Sequence, residues 1–359
     1  MLIELSGGNK MKIALICPSN LLYMPYVGNY EKILKENHVD YDIINWDRFN
    51  IEDGNNSLKY RDLKTGHQRN LIDYYKFNKF IKKRLDLVQY KKIIVFGIQL
   101  AFFLKDILNK RFKSNYVVDI RDYNKIISWF RVAKVIDNSS FAVLSSPGFK
   151  KWLPSSNKYI INHNTQINSL NDLNEISDNT INREKINISY IGSIRDYKIN
   201  IDLIESLKSS NRIKLFYHGQ GIINKNINEY IDLNNIKNVR LTGRYKKEDE
   251  EDLYKTTDLV NVLIPKESIN SKTLLPNRLY NAVIYGKPML AFYGTYLAEQ
   301  IENNKLGIVI SSFERVEEQI IDYLNNFDSN IFDIHRKIFF ETVIKENDKF
   351  KMQLEDFIK

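Results

Sequence analysis

The sequence predicts an α/β protein built from two doubly wound parallel-sheet domains, and three observations predict it. Short apolar segments rich in Ile and Val alternate with stretches of helical length, the pattern of strands joined by covering helices. The alternation runs through residues 13–144, breaks in an Asn-, Asp- and Ser-rich interval at 162–183, and then restarts. The 359 residues suffice for two hydrophobic cores at roughly 150 residues per domain.

The first series opens with the strand Ile13–Cys17, a helix around Tyr30–Asn37 and the strand Tyr41–Asn45. A basic stretch follows, YYKFNKFIKKRLDLVQYKK from Tyr74 to Lys92. In it Phe77, Phe80, Ile81, Leu85 and Val88 form an apolar stripe at helical spacing, with the lysines elsewhere. Two compatible readings apply: a packed surface helix, and a helix that also faces acidic lipid headgroups. The series continues with strand Ile93–Phe96, helix Leu100–Asn109, strand Tyr116–Ile120, a helix near Ile126–Val135 and strand Phe141–Leu144. The second series runs strand Ile188–Ile191, helix Ile201–Leu207, strand Lys214–Tyr217, helix Ile227–Leu233, strand Val239–Leu241 and helix Glu248–Tyr254. Strand Leu259–Leu263, helix Asn277–Tyr285, strands Pro288–Ala291 and Gly307–Ile310, and a helical tail from Glu314 complete it. Residues 1–165 are expected to form the first domain, with about 340–359 returning to it; 166–182 a linker; and 183–339 the second domain. Ligands of such sheets sit at the carboxyl ends of the strands, so a cleft between the domains is the expected place for chemistry.

Composition narrows the class. With 14 Gly and 7 Pro the chain is neither fibrous nor of low complexity. The single cysteine, Cys17, excludes a disulfide scaffold and a Cys-based zinc site and suits a reducing compartment. No apolar run approaches the roughly 18 residues that span a bilayer. The stretch IALICPSNLLYMPYV is broken by Pro18, Ser19, Asn20 and Pro25, a poor signal peptide. The expectation is a cytoplasmic protein whose fold starts near Met11, with 1–10 a loose extension. Residues 1–165 hold about 27 Lys and Arg against about 15 Asp and Glu, so the excess of +9 for the whole chain sits in this half. Such a half attracts nucleic acid, a phosphate-bearing substrate or an anionic membrane surface, and no RNA- or DNA-binding motif accompanies it.

Several chemistries lack their motifs. There is no Walker A sequence, and Gly219-Gln220-Gly221 is too short for a dinucleotide fingerprint. No HExxH, GxSxG or paired metal-ligand histidines occur, and Asp40-Tyr41-Asp42 reads as a solvated turn. What remains is an enzyme that works by positioning and charge. In YIGSIRDYKINIDLIESL (Tyr190–Leu207), Gly192 lets backbone amides approach a ligand, and Arg195 and Lys198 can neutralise a diphosphate. LFYHGQG ends a strand in a glycine turn at Gly219, and VRLTGRY does so at Gly243-Arg244-Tyr245. PNRLYNAVIYGKPML (Pro276–Leu290) starts a helix after Pro276, whose amides around Asn277, Arg278 and Leu279 form an anion site. In the first half, DIRDY places Asp119 at the end of a buried strand, followed by Arg121 and Asp122. Its carboxylate either orients or deprotonates a hydroxyl, with Arg121 setting its charge state, or fastens the strand to the next helix. His163 in the NHN turn reads as a hinge-region residue, with a base as the alternative.

The four second-half segments, in this order, resemble the nucleotide-sugar-binding half of GT-B glycosyltransferases, most closely those of family 4. YVVDIRDY, LSSPGFKKWL and YIINHNTQ extend the resemblance more weakly into the first half, so it covers about residues 91 to 312. It implies two Rossmann-like domains facing a cleft, with a final helix crossing back to the first. It also implies that Arg195 and Lys198 contact the donor diphosphate, that Gly192 and Ser193 face the transferred sugar and phosphate, and that Gly243 to Tyr245 lie near the nucleobase, on which Tyr245 stacks. The chain departs from the family where two glutamates spaced E-x7-E hold the donor: it has Thr273 and Asn281 there. Asn281 retains hydrogen-bonding capacity without the charge, and Glu267 is a candidate replacement. The implied activity is a hexosyl-type transfer from a nucleoside-diphosphate sugar, without cofactor or metal, to a lipid-linked or other saccharide acceptor lying near Pro25–Tyr30. Bacterial capsule, lipopolysaccharide or other surface-polysaccharide assembly at the inner membrane face is the implied setting. A nucleotide-sugar epimerase and a catalytically degenerate regulatory subunit are the alternatives, and the second follows from the Thr273 and Asn281 departure.

Overall fold

The computed structural model of the protein describes residues 11–52, 57–165, 168–176 and 184–359, so the expected loose extension at 1–10 lies outside the described residues. The chain divides into two compact units, residues 1–163 with 346–359, and residues 164–345.

In the first unit the order is β1 (Lys12–Cys17), α1 (Val27–Glu36), β2 (Asp40–Trp46), β3 (Ser57–Tyr60), α2 (Leu71–Leu87), β4 (Lys92–Phe96), α3 (Ile98–Lys110), β5 (Tyr116–Ile120), α4 (Val132–Asn138), β6 (Phe141–Leu144) and β7 (Tyr159–Ile161). All seven strands are parallel, in the order β3-β2-β1-β4-β5-β6-β7. Every residue of β5 and β6 is buried, as expected of central strands covered on both faces. Asn70 caps α2: its side chain accepts from the Asp73 amide, and the Asp73 carboxylate accepts from the Asn70 amide. The helix buries Phe77, Ile81 and Leu85, and Phe80 and Val88 are half-buried. The helix expected near 126–135 is split. A single 3-10 turn at Lys125–Trp129 and α4 flank Phe130, which is extended. Trp129 and Phe130 there turn onto the Phe102 ring, at 6.4 and 5.4 Å, a contact one continuous helix would not make. β3 had no signal, because SLKY is a short edge strand with one aliphatic residue.

The second unit contains β8 (Ile186–Ile191), α5 (Tyr197–Leu207), β9 (Ile213–His218), α6 (Asn224–Leu233), β10 (Val239–Gly243), α7 (Glu250–Lys255), β11 (Leu259–Asn261), α8 (Ile269–Thr273), α9 (Asn277–Ile284), β12 (Met289–Phe292), α10 (Tyr296–Asn303), β13 (Gly307–Ile310), α11 (Val316–Asn325) and the start of α12 (Ser329–Ile358). Its six strands are parallel, in the order β10-β9-β8-β11-β12-β13. One core joins Leu203, Ile204, Ile227 and Ile320 to the sheet. A second joins Tyr254, Leu279, Val283, Leu297 and Phe340 to it. Residues 168–176, within the stretch read as a linker, pack on this unit. Leu173 is buried in its core, and the Asn174 amide donates to the Ile284 carbonyl at 3.0 Å.

Arg336 of α12 is 1% exposed and closes the end of α9. It donates to the carbonyls of Val283 at 2.9 Å and Asn174 at 2.7 Å, and pairs with Asp333 at 2.7 Å. A cation there adds a charged donor at a helix terminus, where the dipole favours positive charge. Gly286 beyond it has φ +64, and a Cβ would stand 2.8 Å from Ile176.

The helix α12 serves both units in turn: residues through Lys345 belong to the second and Glu346 onward to the first. In the first unit Phe350, Leu354, Phe357 and Ile358 join Leu15, Tyr30, Leu34 and Val117 in one core. The Lys92 ammonium donates to the Phe357 carbonyl near the helix end. The return of about 340–359 to the first unit therefore starts at 346. No helix among the described residues is long and apolar enough to cross a membrane.

Candidate functional site

In the second unit the glycine turns lie side by side at the carboxyl ends of three neighbouring strands. Gly192 follows β8 with φ +133, Gly219 follows β9 with φ +137, and Gly243 ends β10 with φ +76. The Gly192 amide donates to the His218 carbonyl at 2.9 Å, and the Gly219 amide to the Gly243 carbonyl at 2.8 Å. The first two turns touch backbone to backbone. A Cβ on Gly219 would meet the Gly192 oxygen at 1.8 Å, and one on Gly221 the Ile194 oxygen at 1.8 Å. Beside Gly192 itself the Cβ direction is open. Glycine is therefore required at 219 and 221 for packing, and at 192 for a backbone left-handed and uncovered.

The turn after β8 is held from beneath. Ile194 is fully buried, and the Asn200 amide group donates to the carbonyls of Arg195 at 2.7 Å and Asp196 at 2.9 Å. Tyr190 donates its hydroxyl to the Ser193 carbonyl at 2.9 Å. Ser193 and Arg195 are exposed above this base, and the Arg195 guanidinium forms no hydrogen bond or ion pair among the described residues. The half-buried Arg278 at the start of α9 places its guanidinium 3.5 Å from the centre of the Tyr190 ring and donates to the Asn261 carbonyl at 2.7 Å. Burial pushes the Asp196 carboxyl up, while Arg278 and Arg195 pull it down and Glu267 adds to the rise. These four charged groups thus share one field.

Lys198 takes a different direction: it is 88% exposed and pairs with Asp202 along α5 at 2.7 Å. Asn277 is exposed at the first position of α9. Leu279 corrects the expected anion site, for its side chain is buried and its amide donates to the Pro276 carbonyl at 3.0 Å. Tyr245 is half-buried against the core; burial first, then Glu250, pushes its hydroxyl up to about 12. Thr273 is buried and turns its hydroxyl to the Ile269 carbonyl at 2.7 Å. Asn281 donates to Glu250, a buried carboxylate of α7 that also holds Lys247. A carboxylate therefore stands next to position 281 although position 281 itself is neutral, and the run of acids from Glu248 to Asp252 gives it no local mark. Asn200 and Asn261 had a legible signal, each a polar residue in an otherwise apolar stripe or strand.

In the first unit Asp119 is 0% exposed. Its two oxygens take Arg121 in a fork at 2.6 and 2.7 Å, and Oδ2 also accepts from the Tyr30 hydroxyl at 2.6 Å. Arg121 continues to the Asn162 carbonyl at 3.0 Å and side chain at 2.8 Å, and lies 4.4 Å from the centre of the Tyr26 ring. Burial and Asp119 push the Tyr30 hydroxyl well up. The pair fastens β5 to α1 through Tyr30 and to Asn162 beyond β7, not to the helix that follows β5. Asp122, next in the chain, is exposed. His163 is buried, with Nε2 2.6 Å from Glu346 and its amide 2.8 Å from the Asn347 side chain. It ties the two ends at which the chain leaves the first unit. Pro25–Tyr30 is the start of α1, where Val27 and Tyr30 point inward and Pro25 and Gly28 are exposed. Among the described residues no three His, Cys, Asp or Glu side chains cluster as metal ligands.

No family model matches this sequence, and no curated protein matches it either. Solved structures match along nearly the whole chain. A sucrose-phosphate synthase from Thermosynechococcus elongatus matches with TM-score 0.68 at 13% identity, over 96% of this chain and 99% of that one. WaaG, a glycosyltransferase involved in lipopolysaccharide biosynthesis, matches with TM-score 0.62 at 13% identity, over 94% and 98%. Anabaena HepE in complex with UDP-glucose matches with TM-score 0.63 at 13% identity, over 94% and 98%. With its two parallel sheets of seven and six strands, the chain has the GT-B fold.

Proposed function

From the GT-B fold we propose that the chain is a glycosyltransferase that binds a nucleoside-diphosphate sugar on its second unit. The observation that carries this reading is the turn after β8. An uncovered left-handed glycine stands beside exposed Ser193 and an unpaired Arg195, in one field with Arg278. HepE, a likeness in fold, is described with UDP-glucose, which favours a uridine donor. WaaG acts in lipopolysaccharide biosynthesis, which favours a saccharide acceptor of surface-polysaccharide assembly, lipid-linked in our reading, and a hexosyl type of transfer.

In this mechanism the bond between the sugar and the diphosphate breaks as an acceptor oxygen bonds to the sugar. The acceptor hydroxyl loses its proton to a base, and the nucleoside diphosphate leaves with the bonding electrons. Arg195, Arg278 and the amides of the Gly192 turn stabilise the charge developing on the diphosphate, Arg278 from a place already fixed by the Tyr190 ring and the Asn261 carbonyl. Lys198 contributes by swinging away from Asp202, at small cost for an exposed pair. Gly219 and Gly243 shape the floor, and Tyr245, Asn277 and Asn281 surround the nucleoside. Asp122, the exposed carboxylate of DIRDY, takes the acceptor proton. Asp119 and Arg121 act as positioning residues beneath it.

The test is a thermal-shift titration with UDP, GDP, dTDP, CMP and their sugar conjugates, since a ligand of the folded state raises apparent stability by mass action. One nucleotide should shift the wild type selectively. Arg195→Ala and Arg278→Ala should each weaken it by about tenfold or more, the size of a lost charged hydrogen bond, and Lys198→Ala by less. No shift with any nucleotide, or unchanged affinity in both arginine variants, would overturn the donor site.

A further inference from the structure

The outward face of α2 carries side chains that packing of the first unit does not require. At about 100° per residue, Ile72, Tyr75, Lys76, Lys79, Lys83 and Leu87 fall on one side of the helix, and all six are exposed. Ile72 is 64% exposed, Tyr75 51% and Leu87 65%, opposite the buried Phe77, Ile81 and Leu85. Lys79 lies 5.0 Å from the centre of the Tyr75 ring, and none of the three lysines forms an ion pair among the described residues. The acid on this side, Asp86, is paired with Arg111 at 2.9 Å.

A solvated helix face ordinarily sets acids three or four residues from its lysines; here lysines face lysines at that spacing, where like charges repel. Large apolar side chains stand exposed between them. An anionic planar surface relieves the repulsion, and its headgroup boundary takes up the apolar groups, whereas a nucleic acid would leave Ile72 and Leu87 in water. We propose that this face docks on an anionic lipid bilayer, with Lys76, Lys79 and Lys83 on headgroup phosphates and Ile72, Tyr75 and Leu87 in the boundary below. The inference does not depend on the transfer reaction.

Cosedimentation of the full chain with vesicles tests it, using phosphatidylcholine alone and phosphatidylcholine mixed with phosphatidylglycerol. Binding should occur on the mixed vesicles only and weaken with salt. The triple variant Lys76→Gln, Lys79→Gln, Lys83→Gln should bind on the order of a hundredfold more weakly, about fivefold per lysine. Ile72→Ser with Leu87→Ser, at unchanged charge, should also bind more weakly. All five positions are exposed, so both variants should melt with the wild type. Four results would overturn the docking face: equal binding to both vesicles, no binding to the mixed ones, wild-type binding by either variant, or capture of a short DNA duplex through the same lysines without vesicle binding.

Discussion

Replacing Asp119 by Asn would leave the Arg121 guanidinium enclosed without the carboxylate it grips in a fork. Breaking one side of a buried pair costs about 3 kcal/mol or more, so Asp119→Asn should lower the melting temperature clearly, read by circular dichroism. Loss of turnover with an unchanged melt would instead make Asp119 the base. That a carboxylate closes β5 is legible in the string DIRDY, because a charged residue ending an apolar strand lies at the sheet's carboxyl edge. What is not legible is where its oxygens go. Tyr30 reaches the carboxylate from 89 residues before it, and Asn162 takes its Arg121 partner from 41 residues beyond that arginine, and no local pattern encodes such partners. Glu250 shows the same limit, since within EDEEDLY nothing distinguishes the one acid that is buried against Asn281.

At the scale of elements, periodicity located most strands and helices, because buried parallel strands read as short branched runs and the helices carry apolar stripes. It failed where shape depends on contacts made elsewhere. β3 borrows its place from β2, and the 126–135 segment breaks so that Trp129 and Phe130 can reach Phe102. The end of α9 is another such case, for the cation that meets its carbonyls comes from 53 residues away. Arg336→Met keeps much of the packing volume and removes the cation, leaving the Asn174 carbonyl without its donor, the Val283 carbonyl with the Gly286 amide alone and Asp333 without its buried partner. The expected loss is about 3 kcal/mol, seen as a lower denaturant midpoint for the second unit. A midpoint equal to the wild type would mean that Arg336 merely fills space.

Across the whole molecule the two units differ in how the chain builds them. The second is one continuous segment, 164–345, while the first needs residues 346–359 as well. Those residues give its core Phe350, Leu354, Phe357 and Ile358. At about 2 kcal/mol for each buried side chain they contribute about as much as a domain's whole net stability. A protein ending at Lys345 should therefore keep the second unit's cooperative melting transition and lose the first's, measured by calorimetry. Two transitions in the shortened protein would refute this. The two-domain division was readable from the polar interval at 162–183, whereas the discontinuity of the first unit rests on contacts between distant parts of the chain.

The shared helix α12 also has a consequence for the order of events at the ribosome. Chains emerge from one end, and domains tend to fold as their residues appear. Here residues up to 163 wait for 346–359, which are made only after the whole second unit, so the basic first unit, its sheet lacking the cover that 346–359 provide, is exposed throughout translation of the second. For that interval the later-made half is the one able to reach its native state, and the earlier-made half is the one in need of a chaperone.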